Sequence, residues 1–379
     1  SSHVGCKFSC VACWSPAVFG RQFHLVRVMD TEEVILEFQK KLVFKDSRNN
    51  GYRQSEDVAL PSMTYPSQVN FIIAQIVRAA ANVRGVEVRA FGSSANGFGD
   101  ASSDVDVVLA ATRASLVDGL GLGDSGDLAP RVLRKLERKL QDQGFKILQR
   151  ILQARVPILK MSIELPAGKI LECDLSVNNL LPVFNTKLLR AYADINPHVV
   201  TLVQTCKVWA KENGVHGAAR GNLSSYAFTL MVIFFMQNRG DLPCLQADAD
   251  SQPEWYFEDH KKFNVFIDDE SDYSGYSDDA SFTDFISFYR KDFKWGEEVV
   301  SIRTGQRLPL KKYPKLGKQP RKGVFQYEMH YFIHIEDPFD ISRNLHCVLG
   351  PGKNEKLWDA FERTPTGRRW KSSKPDYRQ

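Results

Sequence analysis

The sequence predicts an α+β fold with two domains, and three patterns lead to that prediction. Residues 60–182 alternate strand-like apolar runs with stretches of helical periodicity, as in a mixed sheet that packs against helices. Apolar residues recur at helical spacing through much of 183–350, so this second domain is predicted to be mainly helical. The chain of 379 residues is long enough for two cores. We place the boundary near Leu181-Pro182 and expect a ligand site in the cleft between the domains.

The elements of the first domain follow from periodicity. Residues 65–83 and 129–143 carry apolar residues at helical spacing, which predicts two amphipathic helices. Apolar runs predict five strands, at 86–92, 104–110, 145–152, 156–164 and 169–177. The stretch from Gly121 to Gly126 spells a dinucleotide-binding fingerprint, but it does not directly follow a strand. We therefore interpret it as a connection.

The second domain is assigned from helical spacing at 186–193, 197–213, 224–238 and 281–293. Residues 20–59 are grouped with this domain, because 31–42 also has helical spacing. Residues 1–20 and 351–379 are treated as extra terminal elements of unknown role.

Composition narrows the class of protein. With 43% hydrophobic and 25% charged residues, the chain is predicted to be soluble and globular. No apolar run approaches the roughly 20 residues of a membrane helix, so no membrane partner is expected. A net charge of +5 permits a polyanionic partner without requiring one. Residues 311–322 form a basic segment that is either a solvated loop or a contact for RNA. The acidic stretch 267–280 is interpreted as a surface loop.

The cysteines and the N-terminal charge pattern bear on the compartment. Seven scattered cysteines predict reduced thiols inside a cell or organelle. An acid-poor start with Arg21 and Arg27 favours organelle targeting. Three cysteines lie close together, at Cys6, Cys10 and Cys13. Their spacing matches a radical S-adenosylmethionine cluster, but the predicted fold lacks the barrel of that family. They could instead bind zinc with His3 or His24, or bind no metal, so their role stays open.

A Gly-Ser turn stands before two closely spaced aspartates. Ten residues separate Ser93 of the Gly92-Ser93 turn from Asp104, and Asp104 and Asp106 point to the same side of a strand. Two such carboxylates repel each other unless a cation lies between them, and Mg²⁺ prefers oxygen ligands of this kind. The turn can offer a backbone N–H and a hydroxyl to a phosphate. The pattern predicts metal-assisted nucleotide chemistry.

A third carboxylate, Asp174, lies in the apolar run 169–177. Taken alone, it is more simply a solvent-exposed residue near a strand end. A two-metal site, however, needs one more carboxylate beside the shared pair, to complete one metal site and orient the attacking oxygen.

These residues resemble the signature of the DNA polymerase β-like nucleotidyltransferases: Gly-Ser, Asp-x-Asp, then a distant Asp. Four later segments are similar to the noncanonical poly(A) polymerases and terminal uridylyltransferases, most of all to the small trypanosomatid mitochondrial uridylyltransferases. These segments are Phe184–Tyr192, Val203–Lys211, Leu223–Ala227 and Ile335–Ser342. The resemblance covers about residues 60–350, and it implies a mixed-sheet catalytic domain at 60–182 plus a helical domain that binds the nucleotide base.

The resemblance implies roles for the matched residues. Two Mg²⁺ or Mn²⁺ ions would be bound by Asp104, Asp106 and Asp174. Gly92 and Ser93 would bind the β- and γ-phosphates. Lys207 and Lys211 share a helix face and would neutralise the triphosphate, although a solvated face is the alternative.

Further matched residues concern the nucleoside. Ser225 would bind phosphate, and Tyr226 would stack on the base, unless it is simply an interior tyrosine. Asn185 and Thr186 would contact the ribose and the O2 edge of the base, although both residue types also suit an N-cap.

Three residues near the end of the second domain would act at the base edge. Asp337 and Asp340 match acidic positions that read the base through water. Arg343 stands where related enzymes carry His, and it could donate to O4 of uracil. The alternative is that Asp337-Pro338 only shapes a turn.

The resemblance therefore implies template-independent transfer of UMP from UTP to the 3′-hydroxyl of RNA, with release of pyrophosphate. It further implies a mitochondrial location, a place in RNA processing or editing, and a multiprotein RNA-editing complex as partner. One alternative is a mitochondrial poly(A) polymerase that uses ATP. Another is an RNA-binding scaffold without activity, in which we would expect a lost carboxylate.

Overall fold

The computed structural model describes residues 27–29, 65–316 and 332–366, except 100–102, 124, 167, 259–260, 269–270, 272, 274 and 278. Its strands are β1 (Arg27–Met29), β2 (Glu87–Phe91), β3 (Val105–Ala110), β4 (Lys146–Ile151), β5 (Ile158–Glu164), β6 (Ile170–Val177), β7 (Glu254–Glu258), β8 (Lys261–Asn264), β9 (Glu298–Val300), β10 (Leu308–Pro309) and β11 (His334–Ile335). Its longer helices are α1 (Tyr65–Ala79), α2 (Arg113–Leu120), α3 (Leu128–Asp142), α4 (Leu181–Ile195), α5 (His198–Glu212), α6 (Ser225–Arg239), α7 (Phe282–Ser287) and α8 (Lys353–Arg363).

A five-stranded mixed sheet forms the first domain, in the order β2-β3-β6-β5-β4. The pair β3–β6 is parallel, and the other neighbours are antiparallel. This confirms the predicted α+β class and the five predicted strands. Helices α1 and α3 contact each other and form one core with the sheet. Helix α2 was not predicted: it is short, capped by Thr112 and ended by Gly121 in a left-handed conformation.

Helix α3 shows how the sequence divides its two faces. Leu133, Leu136 and Leu140 lie three and four positions apart and are fully buried against the sheet. Arg134 and Arg138 lie on the opposite face and are exposed. The predicted helix 129–143 is thereby confirmed, with a strongly basic outer surface.

The second core is helical and aromatic. Helix α6 is buried almost all round, from Ala227 to Met236, so it is the central helix of this domain. The segment after 351 had no role assigned from the sequence. Its described part forms α8, in which the ring of Phe361 lies 4.8 Å from that of Trp209. The indole N–H of Trp209 donates to Thr364 Oγ1 at 2.8 Å, so this segment completes the helical core.

Two small sheets supplement the helices and were not predicted. The order β1-β7-β8 joins a strand near the N-terminus to the 254–264 region, and β10-β9-β11 leads into the loop at 336–344. The predicted helix at 31–42 and the three clustered cysteines lie outside the described residues. In the part of the chain that the structure covers, no helix is long and apolar enough to cross a membrane.

Candidate active site

Two aspartates lie side by side at the centre of the sheet. Asp106 of β3 and Asp174 of β6 are Cα partners in the parallel register, so their side chains leave the same face of neighbouring strands. Asp104 stands just before β3, two residues from Asp106, and is exposed. The sheet thus brings the three predicted carboxylates together.

The electrostatics of this cluster favour a cation. The pKa of Asp106 is raised from 3.8 to about 7, first by burial and then by the charges of Asp174 and Asp104. A divalent cation would offset that repulsion, and carboxylate oxygens are the ligands that Mg²⁺ prefers, so the residues fit such an ion. Among the described residues, no three His, Cys, Asp or Glu side chains are already arranged as a metal site.

The third carboxylate, Asp174, forms an ion pair with a lysine. Lys160 of β5 is the Cα partner of Asp174, and its Nζ lies 2.7 Å from Asp174 Oδ2. Burial opposes the charge on Lys160, but the bond to Asp174 and the nearby carboxylates raise its pKa above the ordinary value. The ammonium group is therefore held charged beside the cluster.

The Gly-Ser turn packs directly on Asp106. Gly92 has a φ of +69°, and a Cβ there would come within 2.7 Å of Asp106 Oδ2, so only glycine fits. Its N–H donates to Thr186 Oγ1 at 2.8 Å, and the Thr186 hydroxyl donates to the Pro182 carbonyl. The predicted donor at Gly92 is thus engaged within the protein. Ser93, next in this turn, is the remaining candidate for a phosphate.

The same contacts concern the N-cap alternative for Asn185 and Thr186. Helix α4 begins at Leu181, with Leu180 as its N-cap, so both residues lie inside the helix and neither caps it. Thr186 anchors the glycine turn, which leaves the predicted contact with the nucleoside to Asn185.

Helix α5 approaches the loop that follows the Gly-Ser turn. Lys207 Nζ donates to the Phe98 carbonyl at 2.9 Å. Lys211 lies one turn further along and is exposed. Burial lowers the pKa of His216, and the charges of Lys211, Arg220 and Lys207 lower it further. These three cations therefore act on one region of the cleft.

His216 links that basic region to the predicted phosphate-binding serine. Its Nε2 lies 2.7 Å from Ser225 Oγ. Because the pKa of His216 is lowered, the ring is neutral at pH 7. With a proton on Nε2, the ring donates to Ser225 and leaves the hydroxyl hydrogen free to donate to a phosphate oxygen.

Tyr226 lies between two predicted base-edge groups. Its hydroxyl donates to Asn185 Oδ1 at 2.9 Å, which leaves the Asn185 NH₂ group free to face a ligand. Burial raises the pKa of Tyr226 well above its usual value, and the charge of Asp337 adds to that effect. The tyrosine therefore stays neutral, with a fixed ring orientation.

Asp337 and Asp340 are both nearly buried, and both already have partners. Asp337 Oδ1 accepts from the N–H groups of Phe339 and Asp340, so it does shape the turn. Its Oδ2 has no hydrogen-bond partner among the described residues and lies 3.8 Å from Arg343 Nη1. Burial raises the pKa of Asp337.

Asp340 contacts both its own loop and the β4–β5 connection of the five-stranded sheet. Its Oδ1 accepts from the Ser342 hydroxyl at 2.6 Å. Its Oδ2 lies 3.5 Å from the guanidinium of Arg155, in the β4–β5 connection. Because both oxygens are engaged, Asp340 is less available to a base than Arg343, whose side chain is 43% exposed.

Comparison with known proteins agrees with this architecture. Residues 49–194 match the family described as "Poly(A) RNA polymerase, mitochondrial-like, central palm domain". Residues 281–343 match the family described as "Cid1 family poly A polymerase". Human terminal uridylyltransferase 7 is 34% identical over 291 residues, and the Danio rerio poly(A) RNA polymerase GLD2 is 30% identical over 278. The chain is a homologue of these nucleotidyltransferases.

The extent of the match differs between the relatives. The aligned parts cover 73% and 71% of this chain, but only 18% of the human protein and 52% of the Danio rerio protein. A structure of the Cid1 poly(U) polymerase superposes with a TM-score of 0.61 at 23% identity, covering 78% of this chain and 85% of that one. A cytoplasmic RNA terminal U-transferase gives a TM-score of 0.58 at 22% identity, covering 78% and 84%. The fold is that of the polymerase β-like nucleotidyltransferases.

Three residues of the candidate site were not predicted from the sequence. Lys160 interrupts an apolar strand, which was a usable signal. His216 and Arg155 stand in connections, and only the tertiary structure brings them to Ser225 and Asp340.

Proposed function

We propose that the protein transfers UMP from UTP to the 3′-hydroxyl of an RNA. The observation that carries this proposal is the meeting of the Gly-Ser turn with the paired carboxylates, where a Cβ on Gly92 would touch Asp106. A phosphate held at this turn lies next to the carboxylates, as nucleotidyl transfer requires. The similarity to human terminal uridylyltransferase 7 supports this choice of reaction.

The reaction forms one bond and breaks one. The RNA 3′-oxygen attacks the α-phosphorus in line, the bond from the α-phosphorus to the bridging oxygen breaks, and pyrophosphate leaves. Asp174 is placed to help take the proton of the 3′-hydroxyl. Two Mg²⁺ or Mn²⁺ ions on Asp104, Asp106 and Asp174 would offset the charge of the phosphates and favour ionisation of the attacking hydroxyl.

Cations and donors of the second domain neutralise the leaving pyrophosphate. Lys207 and Lys211 supply charge from one face of α5, and Ser93 and Ser225 supply hydroxyls. His216 is a positioning residue in this proposal: its Nε2 lies 2.7 Å from Ser225 Oγ, and with the proton on Nε2 it leaves the Ser225 hydroxyl hydrogen for a phosphate oxygen.

The choice of base rests on donors that suit uracil. Tyr226 offers a face for stacking, which gives affinity with little selectivity. The free NH₂ group of Asn185 matches the O2 acceptor, and the exposed guanidinium of Arg343 matches the O4 acceptor. Cytosine and adenine carry an amino donor at the corresponding position, so Arg343 disfavours both.

A poly(A) polymerase that uses ATP is the second candidate. Both family descriptions name poly(A) polymerases, and the Danio rerio relative is one by name. Labelled RNA incubated separately with UTP, ATP, CTP and GTP distinguishes the two. Uridine addition supports our proposal, and preferred adenosine addition replaces it.

The body of the RNA has a basic surface available beside the cleft. Arg134, Lys135 and Arg138 are exposed on α3, and Lys146 is exposed on the adjacent edge strand β4. The β4–β5 connection continues this surface to Arg155, at the cleft. We propose that the RNA backbone follows it, because phosphates draw most of their affinity from such cations.

The cellular setting remains a proposal as well. We propose a mitochondrial location and a role in RNA processing or editing within a multiprotein complex. The N-terminal charge pattern and the resemblance to trypanosomatid mitochondrial uridylyltransferases support it. Localisation of the tagged full-length protein by microscopy, with recovery of bound proteins, tests it.

A further inference from the structure

The ion pair between Lys160 and Asp174 is the feature of the site that the proposed reaction leaves unused. The two side chains are 33% and 18% exposed, and their charged atoms lie 2.7 Å apart. Lys160 also lowers the pKa of Asp106, against the burial and carboxylate charges that raise it. Its own pKa is raised by Asp174, Asp104 and Glu172, although burial opposes this. One ammonium group thus interacts with the whole carboxylate cluster.

We propose that Lys160 is the resident counter-charge of the cluster and competes with the divalent metal for Asp174. The inference deepens the proposed function, since it concerns the same carboxylates. In the metal-free protein, Lys160 holds Asp174 in place and offsets repulsion among the three carboxylates. A metal that takes Oδ2 of Asp174 must displace Lys160 from that oxygen, and one bound through Oδ1 still feels the repulsion of the nearby ammonium group.

The position of Lys160 makes this competition direct. Strands β5 and β6 pair Lys160 with Asp174, so the backbone register fixes the lysine beside that carboxylate. Strand pairing fixes the backbone of Lys160, so only its flexible side chain can move away from Asp174. Lys160 is therefore a positioning residue whose charge stabilises the metal-free site and weakens metal affinity.

The magnitude follows from Coulomb's law. A divalent cation and an ammonium group several ångströms apart repel each other, and solvent at the partly exposed lysine screens part of this repulsion. Removing the charge should then tighten metal binding on the order of tenfold.

The test uses Mn²⁺ alone, with neither nucleotide nor RNA present. The metal-free protein is titrated with Mn²⁺ while electron paramagnetic resonance reports the free ion. Lys160→Met should bind Mn²⁺ on the order of tenfold more tightly than wild type. In a chelator at pH 8 its Tm should fall, and the rise in Tm on adding Mn²⁺ should be larger than for wild type.

Two variants serve as controls. Lys160→Arg keeps the charge and should bind Mn²⁺ within about threefold of wild type. Lys291→Met removes an exposed lysine from the segment Phe288–Asp292, outside the five-stranded sheet, and should leave the affinity for Mn²⁺ unchanged. If Lys160→Met does not fold, Lys160→Gln gives the same comparison.

The outcomes separate this inference from the proposed function. If folded Lys160→Met binds Mn²⁺ as tightly as wild type or more weakly, the proposed role of Lys160 is wrong. The proposed metal site is not affected by that result. A wild-type protein that binds no Mn²⁺, or binds it equally after Asp104→Ala, overturns the metal site and with it the proposed reaction.

Discussion

Asp106 and Asp174 face the same side of two parallel strands as direct Cα partners, although 68 positions separate them in the chain. Burial and the neighbouring carboxylates raise the pKa of Asp106 to about 7. Repulsion within this pair lowers the stability of the metal-free protein, and a bound cation would offset that repulsion.

Asp104→Ala should abolish nucleotide transfer, lowering kcat by at least about 100-fold, since a metal ligand contributes several kcal/mol to such a reaction. Asp104 is exposed, and its negative charge repels that of Asp106. The Tm of the variant without Mg²⁺ should therefore equal that of wild type or be slightly higher. Primer extension and thermal unfolding measure the two effects. Robust activity in this variant would contradict the assignment of the ligand.

The metal-free protein should lose stability as pH rises from about 4 to about 7. In that window the folded state keeps a proton on Asp106 that the unfolded state, with a pKa of 3.8, has released. The full shift corresponds to at most about 4 kcal/mol. Asp106→Asn removes this dependence, so wild type should lose more stability than the variant between pH 5 and pH 8, measured by denaturant unfolding in a chelator. Parallel curves for the two proteins would show that Asp106 titrates normally.

Lys207→Ala should raise KM for UTP by roughly 10- to 100-fold and change KM for RNA little, and adding Lys211→Ala should raise KM for UTP further. Charge-assisted bonds to the triphosphate are worth about 1.5–3 kcal/mol each. Lys291→Ala removes an exposed lysine from the segment Phe288–Asp292, outside α5, and is the matched control. An unchanged KM for UTP in the double variant would return both lysines to a solvated helix face.

Arg343→Ala should narrow the preference for UTP over CTP by roughly 10- to 100-fold, because a mispaired polar group costs about 1–3 kcal/mol. Tyr226→Ala should weaken the binding of UTP and of CTP to similar degrees, since stacking does not distinguish the two pyrimidines. Asp340→Ala should have a smaller effect on the preference, because its carboxylate is bound to Ser342 and Arg155. Single-nucleotide addition with each triphosphate measures all three. A preference that survives loss of Arg343 would place base recognition elsewhere in the cleft.

Replacing Arg134, Lys135 and Arg138 together by Gln should lower the affinity for a long RNA far more than the affinity for a trinucleotide primer. It should also reduce the salt dependence of binding by about two in the log–log slope, at about 0.7 per phosphate contact. The matched control removes three charges from α8, by Gln at Lys353, Lys356 and Arg363. Equal effects of the two triple variants would mean that net charge alone matters.

The sequence predicted the framework of the site because that framework is local. The i, i+2 spacing of Asp104 and Asp106 fixes a shared side, and alternating burial fixes the strand that carries Asp174. The side-chain network is not local. Sheet register places Lys160 beside Asp174, and packing of the β4–β5 connection near the loop at 336–344 brings Arg155 to Asp340, 185 positions away.

Short elements were also beyond prediction. Strands β10 and β11 have two residues each, too few for any period to show. The role of Gly92 was only partly predicted: its conformation and its closeness to Asp106 suit a glycine turn, but its N–H is engaged by Thr186.

One competition assay tests the central claim most directly. Wild-type protein, Mg²⁺ and a 5′-labelled single-stranded RNA receive UTP and ATP together at equal concentration, and the added nucleotides are identified by mass. We predict that uridines are added, that pyrophosphate accumulates in equal amount, and that Asp106→Asn adds none. Addition of adenosines in place of uridines, or uridine addition that persists in Asp106→Asn, would contradict the account.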